Sequence, residues 1–227
     1  LSQSDSFIDE VTEEVRRDRL FAMFRRYGWI AAVVVILIVG GAAWNEYRKS
    51  QDRARAETFG NALLSALEQS EAQERVTALD SIQAETPGAA AVRDLMKAAE
   101  ASEAGDTSGA VDTLTVVANN PDLPLIYRSL AQYRALALQG DTLSPADRRA
   151  AYEGLSAPGA PLRHLALEQI ALTHVEEGDR DAALNALNSL LEEAGLSADL
   201  QRRVSQLIVS LGGSLDGASD EASSDGN

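Results

Sequence analysis

HLALEQIALTHVEEGDRDAALNALNSLLEEAGL, residues 164–196, reads as two amphipathic helices joined at Gly178-Asp179. Glycine ends a helix because it enters the left-handed region cheaply, and an aspartate just after it can accept the free N–H groups that open the next helix. The same dipeptide recurs at Gly105-Asp106 and Gly140-Asp141, with spacings of 35 and 38 residues. Pro87 ahead of the first mark and Pro121 and Pro158 between the marks follow one another at spacings of 34 and 37, and each is read as stopping the second helix of a pair. Two interleaved marks at one period indicate a repeated helix-turn-helix unit.

Between the marks, seven helices are predicted: 89–104, 108–119, 123–139, 145–155, 162–177, 181–194 and 198–211. Alanine and leucine dominate, aromatic residues are 5%, and no stretch alternates as a strand would. The fold class is therefore all-α, a helical stack.

Upstream, Tyr27 to Asn45 is uncharged, with GWIAAVVVILIVGGAAW in its middle. In a helix this run reaches roughly 28 Å, close to the thickness of a bilayer's hydrocarbon core. Trp29 and Trp44 stand near its ends, where an indole buries its ring and still hydrogen-bonds among headgroups, and Arg25 and Arg26 are placed to meet phosphates. A buried core helix would carry a polar stripe, and a cleaved leader would have a short basic start rather than six acids beside five arginines. The expected organisation is a cytoplasmic amphipathic arm over 1–26, a single transmembrane helix over 27–45, a helical repeat domain over 46–211 and an acidic disordered tail over 212–227. The arm starts at Ser6 and Asp9 and carries Phe7, Ile8, Val11, Val15, Leu20, Phe21 and Phe24 at helical spacing. Beyond Trp44 the helix is expected to continue until Phe59, Leu63 and Leu67 form a buried face.

The formal net charge of −15 lies entirely beyond residue 49. Such a surface argues against nucleic acid, which is held by Lys and Arg, and it repels anionic headgroups. Basic residues on the two sides of the run barely favour a cytoplasmic N-terminus. With no cysteine, disulfide and thiol chemistry are excluded. His164 and His174 do not share a helix face, so no metal set is expected, and His174 reads as a core position. Neither a phosphate loop nor a nucleophile elbow occurs, so no enzyme, cofactor or small-molecule substrate is expected.

A period near 34 with a Gly-Asp turn resembles the tetratricopeptide repeat. In the copy at 164–196, Ile170-Ala171 take the close-packing positions, His174 the tyrosine position, Ala183 the small residue of the second helix and Leu187 the large one. Gly105 is followed at the same spacing by Ala110 and Leu114, while Gly140 is followed by a shifted turn, LSPADRRAAYEGL. This register points Leu165, Glu168, Leu172 and Val175 into a partner groove, and aligning Ala131 with Ala171 adds Leu125, Arg128 and Gln132.

The whole layout resembles the ancillary subunit family of the bacterial Sec translocon, carried by FRRYGW at 24–29, the Gly40-Gly41 anchor, WNEYRKSQDRARAETF at 44–59 and LAQYRALALQGD at 130–141. The resemblance implies an inner-membrane, single-pass protein with a periplasmic repeat domain that links the translocon to periplasmic chaperones. The alternative is an accessory subunit or assembly factor of another inner-membrane complex, respiratory or photosynthetic.

Overall fold

A computed structural model describes the backbone of residues 3–140 and 142–214, with side-chain surroundings from residue 25 onward except at 27, 28, 31 and 32. The chain divides into two compact units, Leu1–Gly60 and Asn61–Asn227. Every regular element among the described residues is a helix: α1 (Gln3–Leu67), α2 (Ala72–Asp80), α3 (Pro87–Glu103), α4 (Thr107–Ala118), α5 (Leu125–Leu138), α6 (Pro145–Glu153), α7 (Arg163–Glu176), α8 (Arg180–Leu191) and α9 (Ala198–Ser210).

α1 is a single helix of 65 residues. No proline precedes Pro87, so nothing in this stretch removes an N–H from the helical ladder. The arm's side chains before Arg25 lie outside the described residues, and its amphipathic face with them. Among the described residues no helix is long and apolar enough to cross a membrane. The fully described uncharged run is Val33 to Asn45, about 20 Å of helix against roughly 30 Å of hydrocarbon. The expected transmembrane helix is therefore not met among these residues. Four of the positions it would use, 27, 28, 31 and 32, are outside them. In the second unit Leu63 and Ala66 are buried and Leu67 is only half-buried, as is Phe59 at the end of the first unit, although both were expected beside Leu63 in a buried face.

The repeat unit is built by successive helices packing on one another, α2 on α3, α3 on α4, α4 on α5, α6 on α7, α7 on α8 and α8 on α9, with a thinner junction between α5 and α6. Small residues let these helices approach closely. Ala98 and Ala171 are nearly inaccessible in the first helices of two pairs, and Ala110 with Leu114 and Ala183 with Leu187 are buried at matching positions in the second helices. The predicted helices are present with ends shifted by three residues or fewer, and α2 is additional.

Two Gly-Asp turns form as the sequence reading expects. Gly105 has φ +86° and Gly178 +77°. At the second, Gly178 N–H donates to the Val175 carbonyl at 3.0 Å and Asp179 N–H to the His174 carbonyl at 2.9 Å, the paired bonds of a Schellman end. Asp179 then turns its carboxylate to the Ala182 N–H at 3.0 Å and opens α8. Asp106 does the same for Gly109 at 2.9 Å.

Three expectations need correction. Gly140 is not left-handed; α6 is opened instead by Ser144, whose hydroxyl accepts from Asp147 N–H at 3.1 Å. Pro87 does not stop a helix but occupies the first turn of α3, after Thr86 as N-cap. Gly212 (φ +74°) and Gly213, expected in the tail, close α9 through bonds to the Val209 and Ile208 carbonyls, and residues 215–227 of that expected tail lie outside the described residues.

Candidate functional site

α5 enters from Pro124, and its face bearing Leu125, Arg128 and Gln132 lines a cavity of about 470 Å³. The opposite wall is the segment after α6. Pro158 and Gly159 sit at the centre of a tight turn closed by Ala160 N–H donating to the Ala157 carbonyl at 3.0 Å. Gly159 has φ +80°, the conformation a type II turn needs at its third position after proline. Arg163 holds this segment by donating to the Ser156 carbonyl while binding the Glu193 carboxylate through Nε at 3.2 Å and Nη2 at 2.5 Å. The Arg163 contact keeps the Glu193 carboxyl below its ordinary range. The wall is thus fixed before any ligand arrives.

A second cavity, of about 650 Å³, shares the Pro158 to Pro161 segment and is lined by Leu165, His164, Glu193 and Leu200 among others. The structure therefore gathers Leu125, Arg128 and Gln132 at one cavity and places Leu165 at the next. Leu172 and Val175 are half-buried and line neither. Glu168 does not point into an open groove. It is 3% exposed and accepts two hydrogen bonds from Arg203 of α9, at 2.5 and 2.7 Å.

A polar seam that the sequence reading did not single out joins α5, α6 and the end of α7. Tyr133 and Tyr152 pack with ring centroids 5.7 Å apart at 58°. The Tyr152 hydroxyl is buried without a hydrogen-bond partner, and burial, then Tyr133, pushes it up to about 12. Arg148 pairs with Glu176, and Arg149 binds Glu177 at 2.5 Å and stands 3.4 Å from His174 Nδ1. Separations of 25 to 35 residues recur in the inter-helix ion pairs from α2 onward other than Lys97 with Asp80. An Arg and a Glu one repeat apart is the signal that would have found them.

In the first unit, Trp29 and Trp44 are 66% and 65% exposed, and Arg25 and Arg26 are exposed on the same helix. Trp44 meets the ring of Tyr47 at 6.2 Å. Seven consecutive apolar side chains, Val33 to Val39, are each at least 43% exposed. At ~100° per residue, seven in a row cover the whole circumference of a helix. Among the described residues no group of His, Cys, Asp and Glu could hold a metal ion.

A family model, described as a tetratricopeptide repeat-like domain, matches residues 22–142, more than half of the chain. The chain belongs to the tetratricopeptide repeat-like family. No curated protein and no solved structure matches it. The match begins inside α1, ahead of the apolar run, and ends just after α5, so this tetratricopeptide repeat-like protein carries α6 to α9 beyond the matched segment.

Proposed function

We propose that the protein is a membrane-anchored adaptor of the bacterial inner membrane, its arm cytoplasmic, its repeat unit periplasmic, and its cavity-bearing face holding another protein near the exit of the Sec translocon. It performs no catalysis and carries no cofactor. The observation that carries this reading is the exposed apolar collar from Val33 to Val39 on a chain that also bears a repeat domain of a protein-binding kind. In water such a surface costs about 25 cal/mol for each Å² left uncovered, and lipid removes that cost. The family match supports the collar as part of the domain's heritage, since it starts upstream of it. A second reading, an accessory subunit of another inner-membrane complex, is favoured by Gly40 and Gly41. An added Cβ at either meets nothing within 4 Å, so α1 offers bare backbone to an approaching helix.

The test combines topology and capture. A reporter active only outside the cytoplasm should be active when fused after Ser214 and silent when fused before Phe7, and carbonate washing should leave the chain in the membrane. Co-purification in mild detergent should then return translocon components and periplasmic chaperones. The reverse reporter pattern, or release by carbonate, overturns the anchor. Recovery of a stoichiometric respiratory or photosynthetic complex selects the second reading.

A further inference from the structure

From residue 61 onward the chain holds eleven Lys and Arg residues against an acidic majority. Nine of them are engaged internally: Arg75, Arg93, Lys97, Arg148, Arg149, Arg163, Arg202 and Arg203 with carboxylates, and Arg180 with the carbonyls of Leu211 and Gly212. Among the described residues, Arg128 and Arg134 are left. Arg134 is exposed on the surface of α5. Arg128 differs, because its Nε is buried with no hydrogen-bond partner and the residue lines the cavity of about 470 Å³.

No Asp or Glu lines that cavity, although acids outnumber cations in the unit. The neighbouring cavity shows the contrast, since its Arg163 is already bound to Glu193. Beside Arg128 stand the hydroxyl-bearing Ser129 and the amide of Gln132, with Leu125 and Leu155 as apolar walls. A guanidinium presents a rigid fork of donors that matches a carboxylate in two places, and Arg128 brings the one positive charge to a cavity whose lining holds no acid to neutralise it.

We propose that the Arg128 cavity is a carboxylate-recognition site, which takes a Glu or Asp side chain flanked by apolar residues on a protein partner. It rests on the adaptor reading above and supplies the chemistry of its contact. The Pro158-Gly159 turn keeps the far wall in place, so recognition needs no rearrangement of that segment.

The test uses the full chain in mild detergent, immobilised, and two sets of end-blocked pentapeptides randomised except for a central Glu or a central Gln. The Glu set should be retained about tenfold more, as expected for a charge-assisted, two-point contact. Arg128→Gln should reduce retention of the Glu set to that of the Gln set, with an unchanged helical circular dichroism spectrum, and Arg128→Lys should keep part of the preference. Arg134→Gln should leave the preference intact. Equal retention of the two sets, no retention of either, or an equal loss in Arg128→Gln and Arg134→Gln overturns the site. Such a result leaves the adaptor reading standing if co-purification still returns a partner, and only the absence of any translocon component or chaperone there removes that reading.

Discussion

Gly178-Asp179 and Gly140-Asp141 are the same dipeptide at the same stage of a helix pair, and they lead to different turns. After Gly178 the chain reads DRDAAL, and Asp179 can open α8 at the next residue. After Gly140 it reads DTLSPAD, and Pro145 can stand only in the first turn of a helix while pushing Ser144 out of the helical region. α6 therefore starts at Pro145 with Ser144 as its cap, three residues later than the repeat pattern asks. The buried alanines show a second displacement, of two residues, on the other side of the turn. Ala98 lies seven residues before Gly105 and Ala171 seven before Gly178, but Ala131 lies nine before Gly140. A turn motif thus works only when the distance from the packed residue to the glycine and the first residues of the next helix agree with it.

The comparison is tested most severely at Tyr152, which holds the displaced α6 in place in the absence of a regular turn. Tyr152→Ala should cost about 3–5 kcal/mol in denaturant unfolding, as for large aromatic truncations in cores. Tyr152→Phe should cost nothing or slightly stabilise, since the hydroxyl it removes is buried without a partner. A large loss in the phenylalanine variant would show that the hydroxyl is satisfied after all.

A smaller contrast is expected between the glycines themselves. Gly178→Val should lose ~1–2 kcal/mol because a β-branched residue is forced into positive φ. Gly140→Ala should be nearly neutral, as its added Cβ approaches nothing closer than 3.7 Å. Equal midpoints for the two variants would erase the distinction between the turns.

The smallest effect concerns the ion pairs that join the two regions, since Arg148 and Arg149 of α6 reach Glu176 and Glu177 beside the Gly178 turn. The Arg149 hydrogen bond holds Glu177 below its ordinary value of 4.5, so its contribution is complete above that pH and is lost as pH falls through the lower folded value. The thermal midpoint should be flat from pH 7 to about 5 and then decline, more shallowly in Arg149→Gln. An identical acid limb in the variant would remove the pair from the account.

Much of this fold could be read from the chain, and the exceptions have causes. Helices α3 to α9 are bounded by Gly, Pro, Asp and Ser signals that act over three or four residues, which is why their ends fall close to expectation. α2 was missed because AQERVTALD offers few large apolar residues, only Leu79 of them fully buried, and Glu71 at its start makes no side-chain cap. The cavity was partly legible, since the repeat register placed Leu125, Arg128 and Gln132 on one face of α5. Its other wall was not, because a Pro158-Gly159 turn can be recognised locally while the helix it faces cannot. Glu168 was misread for the same reason: its burial depends on Arg203, 35 residues away in the following layer.

α9, the last helix among the described residues, has two unlike faces. α9 turns Leu200, Val204 and Ile208 inward and leaves Gln201, Arg202, Gln206 and Ser210 outside, with Val209 the exposed apolar exception. Arg180 already occupies the carbonyls of Leu211 and Gly212, where a further layer would seek donors. A second copy arriving at the described outer face of α9 meets mostly polar side chains in place of a hydrophobic strip, so head-to-tail stacking there would gain little from apolar burial.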